Sequence, residues 1–224
     1  MTTLLNELAA AILGPKPTAP EPPPMTILTA ADLTTDEMLA DLEAYLCKRF
    51  KVQVTEKGDS AIMRGVAAVF GVASMLGVNV PTSEEFLTRF ATTLGPVSFL
   101  PSGMPRGKRR TLLLLHEIGH GAQFWEEPLF YPRAYVQSGE KRAAYEAQAE
   151  RGRIEGAWLL YGELPTADHV HSFMQHGYAV DAPDVTLAQQ LVDIAATAAD
   201  SGVVSSPVGL AVRDWLRSKQ EPGR

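Results

Sequence analysis

The sequence predicts an α+β domain dominated by helices, with a small sheet or hairpin placed just before a histidine-bearing helix. Three observations predict it. Most of the chain after residue 34 carries apolar residues at helical spacing, only three short stretches read as strands, and strand-like and helix-like segments are not interleaved as a parallel α/β sheet requires. At 224 residues with 46% apolar and 21% charged content, the chain is long enough for one large domain around a buried core.

The N-terminal region stands apart. Residues 1–14 place Leu4, Leu5, Leu8 and Ile12 at helical spacing, and residues 15–24, PKPTAPEPPP, hold six prolines in ten positions. Proline at that density favours extended polyproline geometry and forbids helix or central strand, so 15–24 reads as a linker and 25–224 as the main domain. The short segment before it is a candidate for docking on the domain or on a protein partner through residues 1–24.

Within the main domain each element has a local cause. Thr34 with Glu37 three residues on is a capping-box pattern, and Met38, Leu42, Tyr45 and Leu46 then recur at helical period, giving a helix over about 35–49. FKVQVTEKGD alternates as a short strand ending in a turn. Residues 60–77, IMRGVAAVFGVASMLG in their centre, are apolar on almost every face and predict a buried helix whose glycines allow close packing. Thr82 and Glu85 form a second capping box that opens a brief helix, and RFATTLG and VSFLP flank the Gly95-Pro96 turn as paired strands.

Three long helices follow, after a helix that begins near 108. Leu112, Leu115, His116, Gly119 and Gln123 keep helical spacing through LLLLHEIGH, so the leucine run belongs to a helix over about 108–124. Ser138 is placed to cap a helix over about 139–161, and further helices are predicted near 184–200 and 206–218.

Charge and cysteine content exclude several functions. A formal net charge of −6 argues against nucleic acid as the main partner, since phosphate binding needs a broad basic face, and the single short run Arg106 to Arg110 reads as a solvated loop. Cys47 is the only cysteine, so no internal disulfide is available and a reducing cytoplasm is the expected setting. The N-terminus lacks a basic signal-peptide region, and no apolar run approaches the roughly 18 residues that span a bilayer.

The chemistry lies in HEIGH. His116 and His120 are four residues apart, so on a helix their side chains stand one turn apart on one face and reach a single metal ion. Glu117 sits about 100° round the helix, beside that ion without ligating it. Histidine ligands flanking a glutamate base in this way are the H-E-x-x-H pattern of zinc metallopeptidases. Gly119 between them costs roughly 1 kcal/mol of helix propensity relative to alanine, which close approach of another element explains. Two buried imidazoles and a carboxylate with no metal or partner would cost several kcal/mol.

A catalytic zinc takes three protein ligands and leaves one position for water. The metzincin continuation would need glycine and histidine where this chain has Gln123 and Glu126. The alternative is a glutamate from a following helix: Glu146 lies 26 residues after His120, with small Ala149 three residues on, and Glu150 on the same face is its rival.

With HEIGH followed by a helix bearing Glu146-x-x-Ala149, the chain resembles the gluzincin families of zinc metallopeptidases. The lead-in FATTLGPVSFLP is similar to compact bacterial and phage-type members, and the likeness covers about residues 86–162. It implies a zincin-like domain with Zn2+ held by His116, His120 and Glu146, Glu117 as general base, and a peptide or protein as substrate. In such families a downstream His or Tyr supplies a hydrogen bond to the oxyanion. DHVHSFMQHGY offers His169, His171, His176 and Tyr178, of which His176 and Tyr178 are the catalytic candidates, although a polar loop or a second metal site accounts for the same histidines. Tyr131, Arg133 and Tyr135 are candidates for lining the cleft, and the strand nearest the site offers an edge on which an extended peptide can pair. The competing reading is a non-catalytic structural or interaction module that keeps a zinc-bearing helix pair, and hydrolysis of a non-peptide amide uses the same chemistry.

Overall fold

The structure, a computed structural model, describes residues 35–77, 81–165 and 182–220. The segments assigned above to residues 1–14 and 15–24 lie outside the described residues, as do His169, His171, His176 and Tyr178.

Helix α1 (Asp36–Phe50) is capped by Thr35, whose hydroxyl accepts the Met38 N–H at 3.3 Å, one residue later than the expected Thr34. Acidic Asp36 and Glu37 in its first turn and basic Lys48 and Arg49 in its last suit the helix dipole. Lys51 then takes the left-handed conformation, φ 52°, and turns the chain into strand β1 (Gln53–Glu56). A 3-10 turn (Lys57–Asp59) leads to α2 (Ala61–Met75) and the short α3 (Ser83–Thr88), where Thr82 and Glu85 form the complete reciprocal capping box. Strands β2 (Thr92–Leu94) and β3 (Val97–Leu100) form the expected hairpin, with Gly95 at φ 60° supplying the turn. β3 is central: it pairs antiparallel with β2, Thr93 opposite Ser98, and parallel with β1, Val54 opposite Ser98.

Helix α4 (Lys108–Glu126) carries HEIGH. Then come α5 (Tyr131–Gln137), α6 (Gly139–Tyr161), α7 (Ala182–Asp200) and α8 (Pro207–Gln220). Ser138 caps α6 as its position predicts, and Gly162 at φ 64° ends it. The architecture is thus α+β with helices predominant and one three-stranded sheet. Among the described residues no helix is long and apolar enough to cross a membrane.

α6 is the hub and packs against α4, α5, α7 and α8. The main core joins Leu42 and Leu46 of α1, Leu100 of β3, Leu114, Leu115 and Ile118 of α4, and Val212 and Trp215 of α8. On the other side of α6, Ala143, Ala147 and Ile154 meet Val185, Ala188 and Val192 of α7.

Two expectations are corrected. α2 is not buried: only Met63 and Ala67 are, while Ile62, Val69 and Met75 are 67%, 67% and 89% exposed. Its apolar character names no neighbour, and it packs chiefly on α3 and the 3-10 turn, leaving the far stripe uncovered by the described residues. Close packing occurs at Gly71, where a Cβ would fall 2.2 Å from Ser83 Oγ, but not at Gly65, which faces open space. The basic run is also no free loop. Lys108 pairs with Glu163, and Arg110 starts its helix by pairing with Glu43 at 3.3 Å.

Lys57 is the one fully buried lysine among the described residues. Its ammonium donates to the Phe86 carbonyl at 3.0 Å and lies 3.5 Å from the Phe86 ring centroid. Loss of hydration lowers its pKa to about 8 from the ordinary 10.5, with the Glu117 charge opposing. Between those two values the unfolded chain holds a proton that the folded chain has released, so this group makes stability rise with pH. Lys57→Met should remove that rise. In denaturant unfolding from pH 7.5 to 10.5, the stability of the variant relative to the parent should be greatest below pH 8 and decline steadily above it.

Candidate metal centre

α4 sorts its side chains by face. Leu114, Leu115 and Ile118 enter the main core, while His116, Glu117, His120 and Gln123 turn toward β2, α5 and α6 and are largely buried. Gly119 sets the separation of the two helices that build the site. A Cβ there would lie 2.9 Å from Ala149 Cα, so α4 and α6 meet backbone to backbone between His116 and His120 on one side and three residues past Glu146 on the other. The small residue expected at the contact is therefore present on both helices.

That crossing brings three ligand types to one point. His116 Nε2 and His120 Nε2 are 3.1 Å apart; Glu146 Oε2 is 3.2 Å from His116 Nε2, and Glu146 Oε1 is 3.4 Å from His120 Nε2. A tetrahedral zinc with bonds near 2.0–2.1 Å separates neighbouring ligand atoms by about 3.3 Å. The three groups already stand at that spacing, and they form the one metal-competent cluster found among the described residues. The donor set therefore fits zinc.

The outward nitrogens are occupied too. Glu150 Oε2 lies 3.3 Å from His116 Nδ1, while Arg153 Nε donates to both Glu150 oxygens at 2.9 and 2.8 Å. Gln123 Oε1 is 3.0 Å and the Tyr131 hydroxyl 3.2 Å from His120 Nδ1, and the Gln123 amide donates to the Tyr145 carbonyl at 2.8 Å. These groups can accept the Nδ1 protons, which leaves Nε2 of each ring as the atom available to a metal. Glu150, the rival third ligand, faces the back of His116 and not the cluster.

Electrostatics hold the cluster together without an ion. Burial would lower the His116 pKa, but hydrogen bonds with Glu146 and Glu150 outweigh it and push it up to about 10. Burial likewise opposes ionisation of Glu146, yet the His120 and His116 charges hold its carboxyl far below the usual range. A metal would take the place of that imidazolium proton.

Glu117 points to the sheet side. Its Oε2 accepts from Thr93 Oγ1 at 2.6 Å, and Thr93 in turn shares a 2.8 Å hydrogen bond with Ser98. The hairpin thus fixes the carboxylate from β2, a role for Thr93 that its sequence context does not signal. Gln123 was legible only as one more helical position. Of the cleft candidates, Tyr131 and Tyr135 reach the cluster, the latter through a hydrogen bond from its hydroxyl to Glu146 Oε1. Arg133 does not: it is exposed and donates to Gln137 at 2.9 Å along its own helix.

Substitution at the helix contact separates packing from propensity. Gly119→Ala gains roughly 1 kcal/mol of helix propensity but forces two backbones apart, so a net loss of about 1–3 kcal/mol is expected, together with weaker metal binding. Gly65→Ala, where nothing lies within 4 Å, should instead stabilise by up to about 1 kcal/mol. Urea unfolding of both variants measures the contrast. Comparison of the chain with protein-family models, with curated proteins and with solved structures gives no match.

Proposed function

We propose that this protein is a zinc-dependent metallopeptidase of the gluzincin type, with His116, His120 and Glu146 as ligands and Glu117 as general base. One observation carries the reading: three ligand atoms of zinc-binding type converge at tetrahedral spacing, and the carboxylate between the two histidines in sequence is held apart from them by a hydroxyl of the neighbouring strand. A structural zinc site needs no such base and closes its fourth position with Cys or His.

Zinc held by His116, His120 and Glu146 would supply Lewis acidity toward the scissile carbonyl and the attacking water. Glu117 then takes the proton from the attacking water and delivers it to the departing amine nitrogen. Thr93 holds the carboxylate in place for both transfers. His116 and His120 stay neutral donors when loaded because Glu150, Gln123 and Tyr131 retain their Nδ1 protons. His176 and Tyr178 are the sequence candidates for the hydrogen bond to the oxyanion. A peptide is the substrate class this chemistry serves best, with β2 lying at an edge of the sheet beside α4.

Elemental analysis of the purified chain should find about one zinc per molecule, lost in His116→Ala and His120→Ala. Glu146→Gln should weaken zinc binding more than Glu150→Gln, and the reverse order would exchange their roles. Glu117→Gln should keep zinc and thermal stability while slowing hydrolysis in a peptide-cleavage screen by roughly two to four orders of magnitude. Retention of full zinc by both histidine variants would overturn the metal assignment. Activity that survives Glu117→Gln would overturn the mechanism, and a Gln variant equal to the parent in every assay would favour the non-catalytic module.

A further inference from the structure

Glu146 offers two oxygens to the cluster, and how many of them bind a metal decides whether the centre is open. Oε2 faces His116 Nε2 at 3.2 Å and Oε1 faces His120 Nε2 at 3.4 Å, so each oxygen has one histidine beside it. With both oxygens on the ion, the carboxylate takes two positions and water can enter only as a fifth ligand, one more than zinc ordinarily holds. With one, three protein ligands leave a position free.

Among the described contacts of Glu146, Tyr135 adds a hydrogen bond to one oxygen alone, its hydroxyl donating to Oε1. This tyrosine is held in place. Its backbone carbonyl accepts from Arg142 Nε at 2.8 Å, and the next carbonyl, that of Val136, accepts from Arg142 Nη2 at 3.0 Å. Arg142 is one helical turn before Glu146 on α6, so the donor and its target are referenced to the same helix. On the other side the Tyr135 ring packs edge-on against His120 at 6.0 Å and at a tilt against Tyr131 at 5.7 Å between centroids. A donor so placed lowers the electron density and blocks one lone-pair direction of Oε1.

We propose that Tyr135 is a positioning residue that keeps Glu146 one-oxygen, through Oε2, and thereby preserves the open position of the metal centre. The inference rests on the metal-centre reading given above. It assigns a task to α5, whose seven residues otherwise contribute a single buried side chain, Tyr131.

The test uses the full chain, loaded with zinc, as parent, Tyr135→Phe and Tyr145→Phe. Tyr145→Phe is the matched control, because it deletes a nearby hydroxyl that donates to Glu127 at 3.2 Å and touches neither His120 nor Glu146. Crystal structures of the loaded proteins should show one Glu146 oxygen on zinc in the parent and in Tyr145→Phe, and two in Tyr135→Phe. In solution, acetohydroxamate, which needs free positions on the ion, should bind Tyr135→Phe about tenfold more weakly than the other two, the lower end of the effect usual for an outer-shell partner. A merely structural tyrosine would move neither readout once zinc content and thermal midpoint match. One Glu146 oxygen on zinc in all three proteins, or equal acetohydroxamate affinity, overturns this inference and leaves the metal centre standing. Absence of zinc from the parent overturns both. Should Tyr135→Phe fold poorly, Arg142→Met, which frees the backbone of α5 and keeps every hydroxyl, should weaken acetohydroxamate in the same direction, and no change there overturns the proposal.

Discussion

The contact of Gly119 with Ala149 governs this molecule. Helices normally stand 8–10 Å apart, at a distance set by the side chains between them. Here neither helix carries a side chain beyond a methyl at the crossing, and a Cβ on Gly119 would be 2.9 Å from the opposing Cα. That closeness lets short carboxylate and imidazole side chains one turn away on each helix meet at 3.1–3.4 Å. Gly156, where a Cβ would fall 2.5 Å from Leu115 Cδ1, extends the same approach along α6. Sequence, packing and the candidate site are joined at this point, because a bulkier residue would separate the histidines from Glu146 and not merely strain the core.

Gathering such groups out of water is costly unless each is paired. The cluster meets that constraint by alternating acid and base: Glu150, His116, Glu146 and His120 form a chain in which every carboxylate touches an imidazole, and Arg153 closes it at the Glu150 end. The shifts agree with this order, His116 held up and Glu146 and Glu150 held down by one another. The arrangement is therefore held by its own pairing, each buried charge facing an opposite one. Glu117 is kept out of the chain by its bond to Thr93, which leaves it free for a different task.

Much of this was legible in the sequence wherever the cause was local. Ser138, the Thr82–Glu85 box and the Gly95 turn each act within four residues, and the structure has them where the pattern puts them. The i, i+4 meeting of His116 and His120 follows from helix geometry, and the close approach at Gly119 from the cost of glycine in a helix. What depended on a distant partner was not legible. Whether Glu146 or Glu150 faces the cluster turns on the rotation of α6. The support of Glu117 by Thr93 bridges 24 positions. The exposure of α2 follows from which elements lie beside it, which a helix apolar on every side does not encode. Burial of Lys57 under Phe86 is invisible for the same reason, since lysine in KGD reads as an ordinary turn residue.

The rotation of α6 is fixed from behind as well as from the site. Glu155 lies nine residues after Glu146, which at 100° per residue places it about half a turn round the helix, on the opposite face. It is fully buried and accepts the N–H groups of Ser205 at 3.2 Å and Ser206 at 2.8 Å, with Arg151 donating at 2.8 Å. Those N–H groups precede α8, so the carboxylate serves as an anionic cap at the start of that helix. Gly209 is required beside it, as a Cβ there would fall 2.2 Å from Glu155 Oε2. α8 in turn is locked into the main core by Trp215, whose indole N–H donates to Asp41 of α1 at 2.6 Å. A rotation of α6 that exchanged Glu146 for Glu150 at the cluster would swing Glu155 out of its cap and take its carboxylate away from the Ser205 and Ser206 N–H groups. The identity of the residue facing the histidines is thus enforced by a hydrogen-bond network on the far side of the helix.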